Sequence, residues 1–506
     1  MEEETTKSNR EIRPPSLVDA LIPLIFMIVL LVSSIVLFGL DAAAGPLQVA
    51  LLMSAVVAAI VAHKNGHSWE KLGEEIVKGI SLAMSAIMIL LMVGALIGVW
   101  NMSGTIATMV YFGIKYIDPS LFYFAAALMT GIVGIVTGSS WTTAATIGVA
   151  FIGMANAFGA STAITAGAVI SGAYFGDKMT PLSETTILTP QIVGSDVYTH
   201  IKSMSKATVP AYLIALLIFF LIGRNVELNT DAVNTTAALQ ALESYYQISL
   251  WNLLPVLVLL VLGIRKYPAF LSILIGTLAG ALVAVIWQPQ VVIEFANDPD
   301  LSYGLAALKS VWMAMANGFT STSGYEQIDA LFSGGGMDSM LTTIWLILGA
   351  MSFGAVMDFG GFNARLITPI IDRVKSTGGI IATVMGTALG LNIVAGDQYI
   401  AIVLPARMFM VEFRKRGLHP ETLATAVENS GTVTSPLIPW NSCGAYMSAA
   451  LGVSTFVYFP YCFFNFLNFF LGLIYGFLGF NIIRLEPEQQ PPLKDLPQPP
   501  LVDLGK

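Results

Sequence analysis

The run FGDKMTPLSETT, Phe175–Thr186, sets an Asp, a Lys and a Glu among hydroxyl side chains inside a chain that is otherwise strongly apolar. Asp177 and Glu184 offer carboxylate oxygens, and Thr180, Ser183 and Thr185 offer neutral ones. Oxygen donors suit small hard cations. Pro181 removes a helical hydrogen bond and frees a backbone carbonyl, and such carbonyls survive at membrane depth only when buried in protein or lining a wet cavity. A charge at the bilayer centre costs about 2.5–3.5 kcal/mol on insertion scales, so an acid there is functional by default. The chemistry expected is competition between a cation and a proton for one carboxylate, since protonation removes the counter-charge that the cation needs.

A second break, SGTVTSPLIPWN (Ser430–Asn441), repeats the pattern with Thr432, Ser435-Pro436 and Asn441. Two short polar tips complete the set: TGSSW (Thr137–Trp141), with Ser139 and Ser140, and AGDQY (Ala395–Tyr399), with Asp397 and Gln398. Asp397 has no basic neighbour in its tip and is a cation or proton site by the same argument. Other readings stand beside these. Asp177 and Lys178 could form a structural pair, but adjacent residues on a helix do not face each other, so each needs another partner or a local break. Asp177 and Glu184 are seven apart and share a face only if the helix runs on through Pro181. Lys178 is the one fixed positive charge available to an anionic solute, and Trp141 and Trp440 either pack or wall a solute pocket. Arg407 reads as a snorkelling arginine, and Asp358 as an interfacial residue at the end of a span. Cys443 and Cys462 suggest no disulfide scaffold, the four His show no zinc spacing, and SGGGM (Ser333–Met337) lacks the Lys of a nucleotide loop. No enzyme, resident cofactor or nucleic-acid partner is expected; a small cation and a proton are the ligands these oxygens suit.

The elements that hold these groups are membrane helices. Of 506 residues 55% are hydrophobic and only 11% charged, against about 25% charged in soluble proteins. Spans of the required length of about 20 residues are expected over 16–40 (uncleaved), 47–62, 79–101, 205–223, 248–264, 267–287, 338–360 and 455–482. Broken regions lie at 119–157, at 163–199 with 421–451, and at 378–413. Segments 64–78 and 303–317 are amphipathic and expected on the membrane surface. The sequon Asn234-Thr235-Thr236 is a weak signal, and the Pro-rich tail from 483 is expected to be disordered. Lys7, Arg10, Arg13, Lys64, Lys71, Lys78, Arg265, Lys266 and Arg414–Arg416 place both termini in the cytoplasm, with 225–247 and 288–336 outside. The region 378–413 then opens inward as a re-entrant hairpin, and 119–157 opens outward. TGSSW and AGDQY, the two breaks, and GVWNMSG (Gly98–Gly104) with GAVMDFG (Gly354–Gly360) recur in order about 255–258 residues apart. The fold class expected is therefore an all-α polytopic membrane protein. It is an inverted repeat of two re-entrant hairpins and two broken helices, the architecture of many secondary transporters. The domains are a tail 1–15, a first half 16–223, a linker 224–247, a second half 248–482 and a tail 483–506.

The segments GAYFGDKMTPLSETT (Gly172–Thr186), GDQY (Gly396–Tyr399) and ENSGTVTSPLIPWNSCGAYMS (Glu428–Ser448) resemble the NhaC family of sodium/proton antiporters, in an order that covers about 16–482. Glu184 departs from the Asp expected there but keeps the acid. The resemblance implies sodium/proton exchange in the cell membrane. It also implies a dimeric scaffold, carried here onto 16–62 and 248–287, and an elevator-like mobile part, 119–199 with 378–451. Similar proteins include malate/lactate exchangers and amino-acid carriers, so coupled transport of a small organic solute is the alternative.

Overall fold

The computed structural model describes residues 12–225, 235–325, 329 and 331–485. Among them the chain is helical, with isolated bridges only at Phe319–Gly334 and Leu418–Arg484. The Pro-rich tail from 486 and Asn234 of the sequon lie outside the described residues. The first half comprises α1 (Leu17–Phe38), α2 (Pro46–Lys64), α3 (Trp69–Met102), α4 (Thr105–Tyr116), α5 (Phe122–Thr137), α6 (Ser140–Phe158), α7 (Thr162–Lys178), α8 (Glu184–Val193) and α9 (Val197–Asn225). The chain continues with α10 (Thr235–Tyr245), α11 (Leu254–Ile264), α12 (Ala269–Trp287), α13 (Pro289–Ala296), α14 (Tyr303–Asn317), α15 (Leu341–Phe359) and α16 (Phe362–Arg373). It continues with α17 (Thr377–Val394), α18 (Gln398–Lys415), α19 (Pro420–Glu428), α20 (Ser442–Leu451) and α21 (Phe463–Leu478).

Among the described residues nine helices are long and apolar enough to cross a bilayer, or ten if the pair Thr455–Tyr461 and Phe463–Leu478, bent by 59°, counts as one span. The protein is a multi-pass membrane protein. Two expectations need correction. Segment 64–78 is not a separate surface helix: Ser68 caps the start and α3 then runs 34 residues without interruption. At 1.5 Å per residue α3 is about 50 Å long, so its polar first turns overhang a core about 30 Å thick. The span expected at 248–264 is only a short apolar helix, Leu250–Ile264.

Some backbone features recur at a nearly fixed spacing along the chain. Left-handed glycines recur 257 positions apart at Gly104 and Gly361, and 258 apart at Gly138 and Gly396, Gly159 and Gly417, and Gly194 and Gly452. The helix caps keep the same 258-residue register: Ser139 and Asp397, Ser161 and His419, Ser183 and Asn441 all sit in extended backbone and accept an amide of the following turn. This register shifts the sequence match by three residues. Thr180-Pro181-Leu182 over Ser435-Pro436-Leu437 needs a separation of 255, whereas the caps on both sides of each break place Asp177 opposite Ser435.

Helices α5 and α7 pack closely, because the small-residue spacing Gly172-x-x-x-Gly176 lets backbones touch. A Cβ on Gly172 would lie 2.1 Å from Thr130 Oγ1 and 2.2 Å from Ala127 O; one on Gly176 would lie 2.6 Å from Gly131 O. Gly172→Ala is therefore expected to destabilise the protein by about 1–3 kcal/mol, the usual cost of overpacking. Gly386, whose added Cβ meets nothing within 4 Å, should accept Ala without loss. Thermal melting of the two variants in detergent checks the contrast.

Candidate functional site

Each tip reaches the broken helix of its own half. Helix α5 ends at Gly138 in a left-handed turn, which glycine adopts without strain. Ser139 then caps α6 by accepting Thr142 N at 3.2 Å. This aims Ser140 at the last turn of α7, where its Oγ donates to Asp177 Oδ2 at 2.8 Å. Asp177 is only 7% exposed, and Ser183, the cap of α8, presents its hydroxyl to the same carboxylate. In the second half Gly396 makes the same turn, and Asp397 caps α18 by accepting Tyr399 N at 2.9 Å and Ile400 N at 3.2 Å. Ser442 Oγ donates to its other oxygen at 3.0 Å. Gln398 Oε1 accepts from Ser435 Oγ at 2.9 Å and Cys443 Sγ at 2.8 Å. Ser140–Asp177 and Gln398–Ser435 are thus the same tip-to-break contact made twice, partner for partner in the 258-residue register.

The two breaks meet at Lys178. Its side chain is fully buried, and Nζ donates to Glu428 O at 2.9 Å and to Asn429 Oδ1 at 3.2 Å. Glu428 is the last residue of α19, so the ammonium of one half closes the C-terminus of the other half's broken helix. Helix C-termini carry a partial negative charge that a cation offsets. The Glu428 carboxylate is itself fully buried and accepts from Thr189 at 2.6 Å and from Thr432. Asn468 Nδ2 holds Asn429 Oδ1 at 2.9 Å. Asp177 and Lys178 do not pair; each turns to a different partner, as neighbours on a helix must.

The remaining expected residues fall into three settings. Thr180 folds back within its own loop, accepting Leu182 N at 3.4 Å, and Thr185 bonds Ser183 at 3.2 Å. Asn441 caps α20 through Cys443 N at 3.0 Å and donates to Asn392, which in turn donates to Gly431 O at 2.8 Å. The tryptophans pack the tips: Trp141 stacks on Tyr446 at 3.9 Å between ring centres, and Trp440 Nε1 donates to Ile393 O at 2.7 Å. Glu184 is exposed and accepts from the Tyr399 hydroxyl. The shared face with Asp177 is lost, because α7 stops at Lys178 and α8 starts afresh after Ser183. Arg407 is exposed on α18. Sequence reasoning missed Glu428, Asn392, Asn429 and Asn468. Glu428 carried the signal that singled out Asp177, an acid beside a break in an apolar run.

Among the described residues no three His, Cys, Asp or Glu side chains gather as metal ligands. A cation here would be held by one or two carboxylates and by neutral oxygens. The family model described as the Na+/H+ antiporter family matches residues 2–188 and 172–480. The chain belongs to the Na+/H+ antiporter family. It is 34% identical to the Na(+)/H(+) antiporter NhaC of Alkalihalophilus pseudofirmus over 86% of this chain and 91% of that one. It is 31% identical to the malate-2H(+)/Na(+)-lactate antiporter of Bacillus subtilis over 93% and 96% of the two chains. It is 33% identical to the arginine/ornithine antiporter ArcD of Halobacterium salinarum over 94% and 95%. The family consists of transporters rather than enzymes, and its Na+ and H+ are cargo, with no cofactor needed.

Lys178→Met would leave Glu428 buried without its positive neighbour. Leaving buried acceptors without their donor costs about 1–3 kcal/mol, and more beside a buried charge. The double variant Lys178→Met/Glu428→Gln should recover part of that loss. Melting temperatures of the single and double variants check it, and equal losses in the two would contradict the coupling.

Proposed function

We propose that this antiporter exchanges Na+ for H+ at the crossing of its two broken helices, with Asp177 as the group for which the two cations compete. The observation that carries this is the Asp177 carboxylate: buried, met by the hydroxyls of Ser140 and Ser183 and by the backbone amide of Ser140, and facing Lys178 and Glu428 across the break. Asp177 and Glu428 bring two negative charges against one positive, which leaves one charge for a sodium ion or a proton to neutralise. Thr180, Ser183, Thr185 and Ser140 supply neutral oxygens on the first side, and Gln398, Thr432, Ser435 and Asn441 on the second. Asp397 is the second acid. Its charge is already shared by two amide N–H groups and a hydroxyl, which makes it the weaker competitor. Ser139 matches it as a neutral cap.

The carrier cycle follows from the charge. A site with one unbalanced charge is costly to carry through the membrane; loaded with Na+ or H+ it is balanced and moves. The mobile part in this reading is the pair of tip-and-break units, 119–199 and 378–451, moving as an elevator within an inverted repeat, with both termini cytoplasmic. The scaffold is 16–62 with 248–287, and α1 and α12 expose apolar faces such as Ile25, Val29, Val36 and Leu271, Leu278, Leu282 that suit lipid and a second copy in a homodimer. A second reading, coupled carriage of a small organic solute, is favoured by the malate/lactate and arginine/ornithine relatives. Against it, Lys178 is committed to Glu428 and Asn429 rather than free for an anion.

Asp177→Asn keeps the size and removes the titrating group, so sodium-driven proton flux in everted vesicles should disappear while the protein stays folded in the membrane. Asp397→Asn should reduce flux less, because its amide oxygen still caps α18. Thr180→Ala should mainly raise the sodium concentration for half-maximal flux. Wild-type exchange by Asp177→Asn would sink the assignment, and flux that appears only with malate, lactate or arginine would favour the organic solute.

A further inference from the structure

A second buried ionisable cluster lies outside the cation site. His200 near the start of α9 and Glu421 in the first turn of α19 are both fully buried, with Nδ1 and Oε1 2.8 Å apart. Ser195 Oγ donates to the other Glu421 oxygen at 2.7 Å, and His200 Nε2 has no hydrogen-bond partner among the described residues. The half-buried His419 accepts Glu421 N at 3.2 Å at the same helix start. Glu421 and Glu428 are seven residues apart on α19, two turns on one face, or about 10 Å along the axis. That is too far for direct proton transfer. The space between is polar: Thr425 Oγ1 lies 3.0 Å from both Glu421 Oε1 and Ser203 Oγ, and one turn later Asn429 holds Lys178.

A cavity of about 30 Å³ runs along this stripe between α19 and α21, walled by Thr422, Thr425, Asn429, Tyr475, Phe480 and Asn481. Asn481 presents an Oδ1 without a partner among the described residues. A water needs about 10–15 Å³ by this measure and two to four polar partners, so the cavity suits about two waters. Its outer wall, with Phe480 exposed at 54%, is the bend after the last helix; its inner wall is Asn429.

We propose that His200 and Glu421 are a proton-relay pair, and that this cavity carries protons between them and the Lys178–Glu428–Asp177 cluster. This rests on the Na+/H+ exchange reading above. A proton arriving from water is taken up at the His200–Glu421 pair and handed along the Thr425–Asn429 stripe through water to Glu428 and Asp177. One proton moves, and no bond other than its O–H or N–H link changes. Sodium takes no part in this path, so the pair positions protons only.

The test separates the two cargoes in one preparation of the full chain in proteoliposomes. Sodium-driven proton flux is read with a pH dye, and exchange of radioactive for unlabelled sodium is read at equal pH on both sides. Glu421→Gln and His200→Gln should cut proton flux about a hundredfold, the low end of proton-transfer effects, while sodium/sodium exchange keeps the wild-type rate. Ala426→Leu, which plugs the cavity wall without touching either acid, should give the same split and serves if a Gln variant does not fold. Equal loss of both fluxes would make the pair structural and overturn the proposal, as would no loss of either. A wild-type protein that exchanges neither sodium nor protons would instead overturn the exchange reading beneath it.

Discussion

The structure turns on one ammonium group. The bilayer core supplies no water, so every buried charge must find its partners within the protein. Lys178 does so by closing the C-terminal carbonyl of a helix from the opposite half. That contact fixes where the two broken helices cross. It draws Asn429, and behind it Asn468, into place, and it makes tolerable the burial of Asp177 and Glu428 nearby. Without it two helix ends of like polarity would face each other together with two carboxylates.

The crossing is reached from both sides by the same local device. A left-handed glycine stops a helix, an extended residue caps the next, and the residue after the cap touches the broken helix of its half. Steric permission at Gly138 and Gly396 and unsatisfied amides at the following helix starts are sufficient to build it twice. The chemistry is then distributed unequally. In the common register Asp177 corresponds to Ser435 and Ser139 to Asp397, so one acid stands in a break and one in a tip. Asp397 caps a helix and has its charge dispersed over two amide dipoles, whereas Asp177 ends a helix and is met mainly by hydroxyls.

This division accommodates relatives named for different cargoes, among them sodium, malate with lactate, and arginine with ornithine. The tips and breaks are held by backbone caps and helix-end charges, which need no solute. Side chains around them, such as Trp141 on Tyr446 and Tyr399 on Glu184, pack against that frame.

Much of this was legible in the chain itself. Composition placed it in a membrane, because a core this apolar has no other solvent. Pro181, Pro436 and the Gly-flanked tips marked the breaks, since proline and glycine act locally, and the NhaC-like motifs named the family. Acids in apolar runs marked Asp177 and Asp397. What folding decided is partnership. Glu184 left the Asp177 face because the helix ended at the break, and Asp397 became a cap. The polar run 64–78 became the overhang of α3. Glu428 joined the site through contacts more than 200 residues away, with Lys178 and Thr189. Such pairings depend on how two half-chains cross, and no local pattern in either half encodes that crossing.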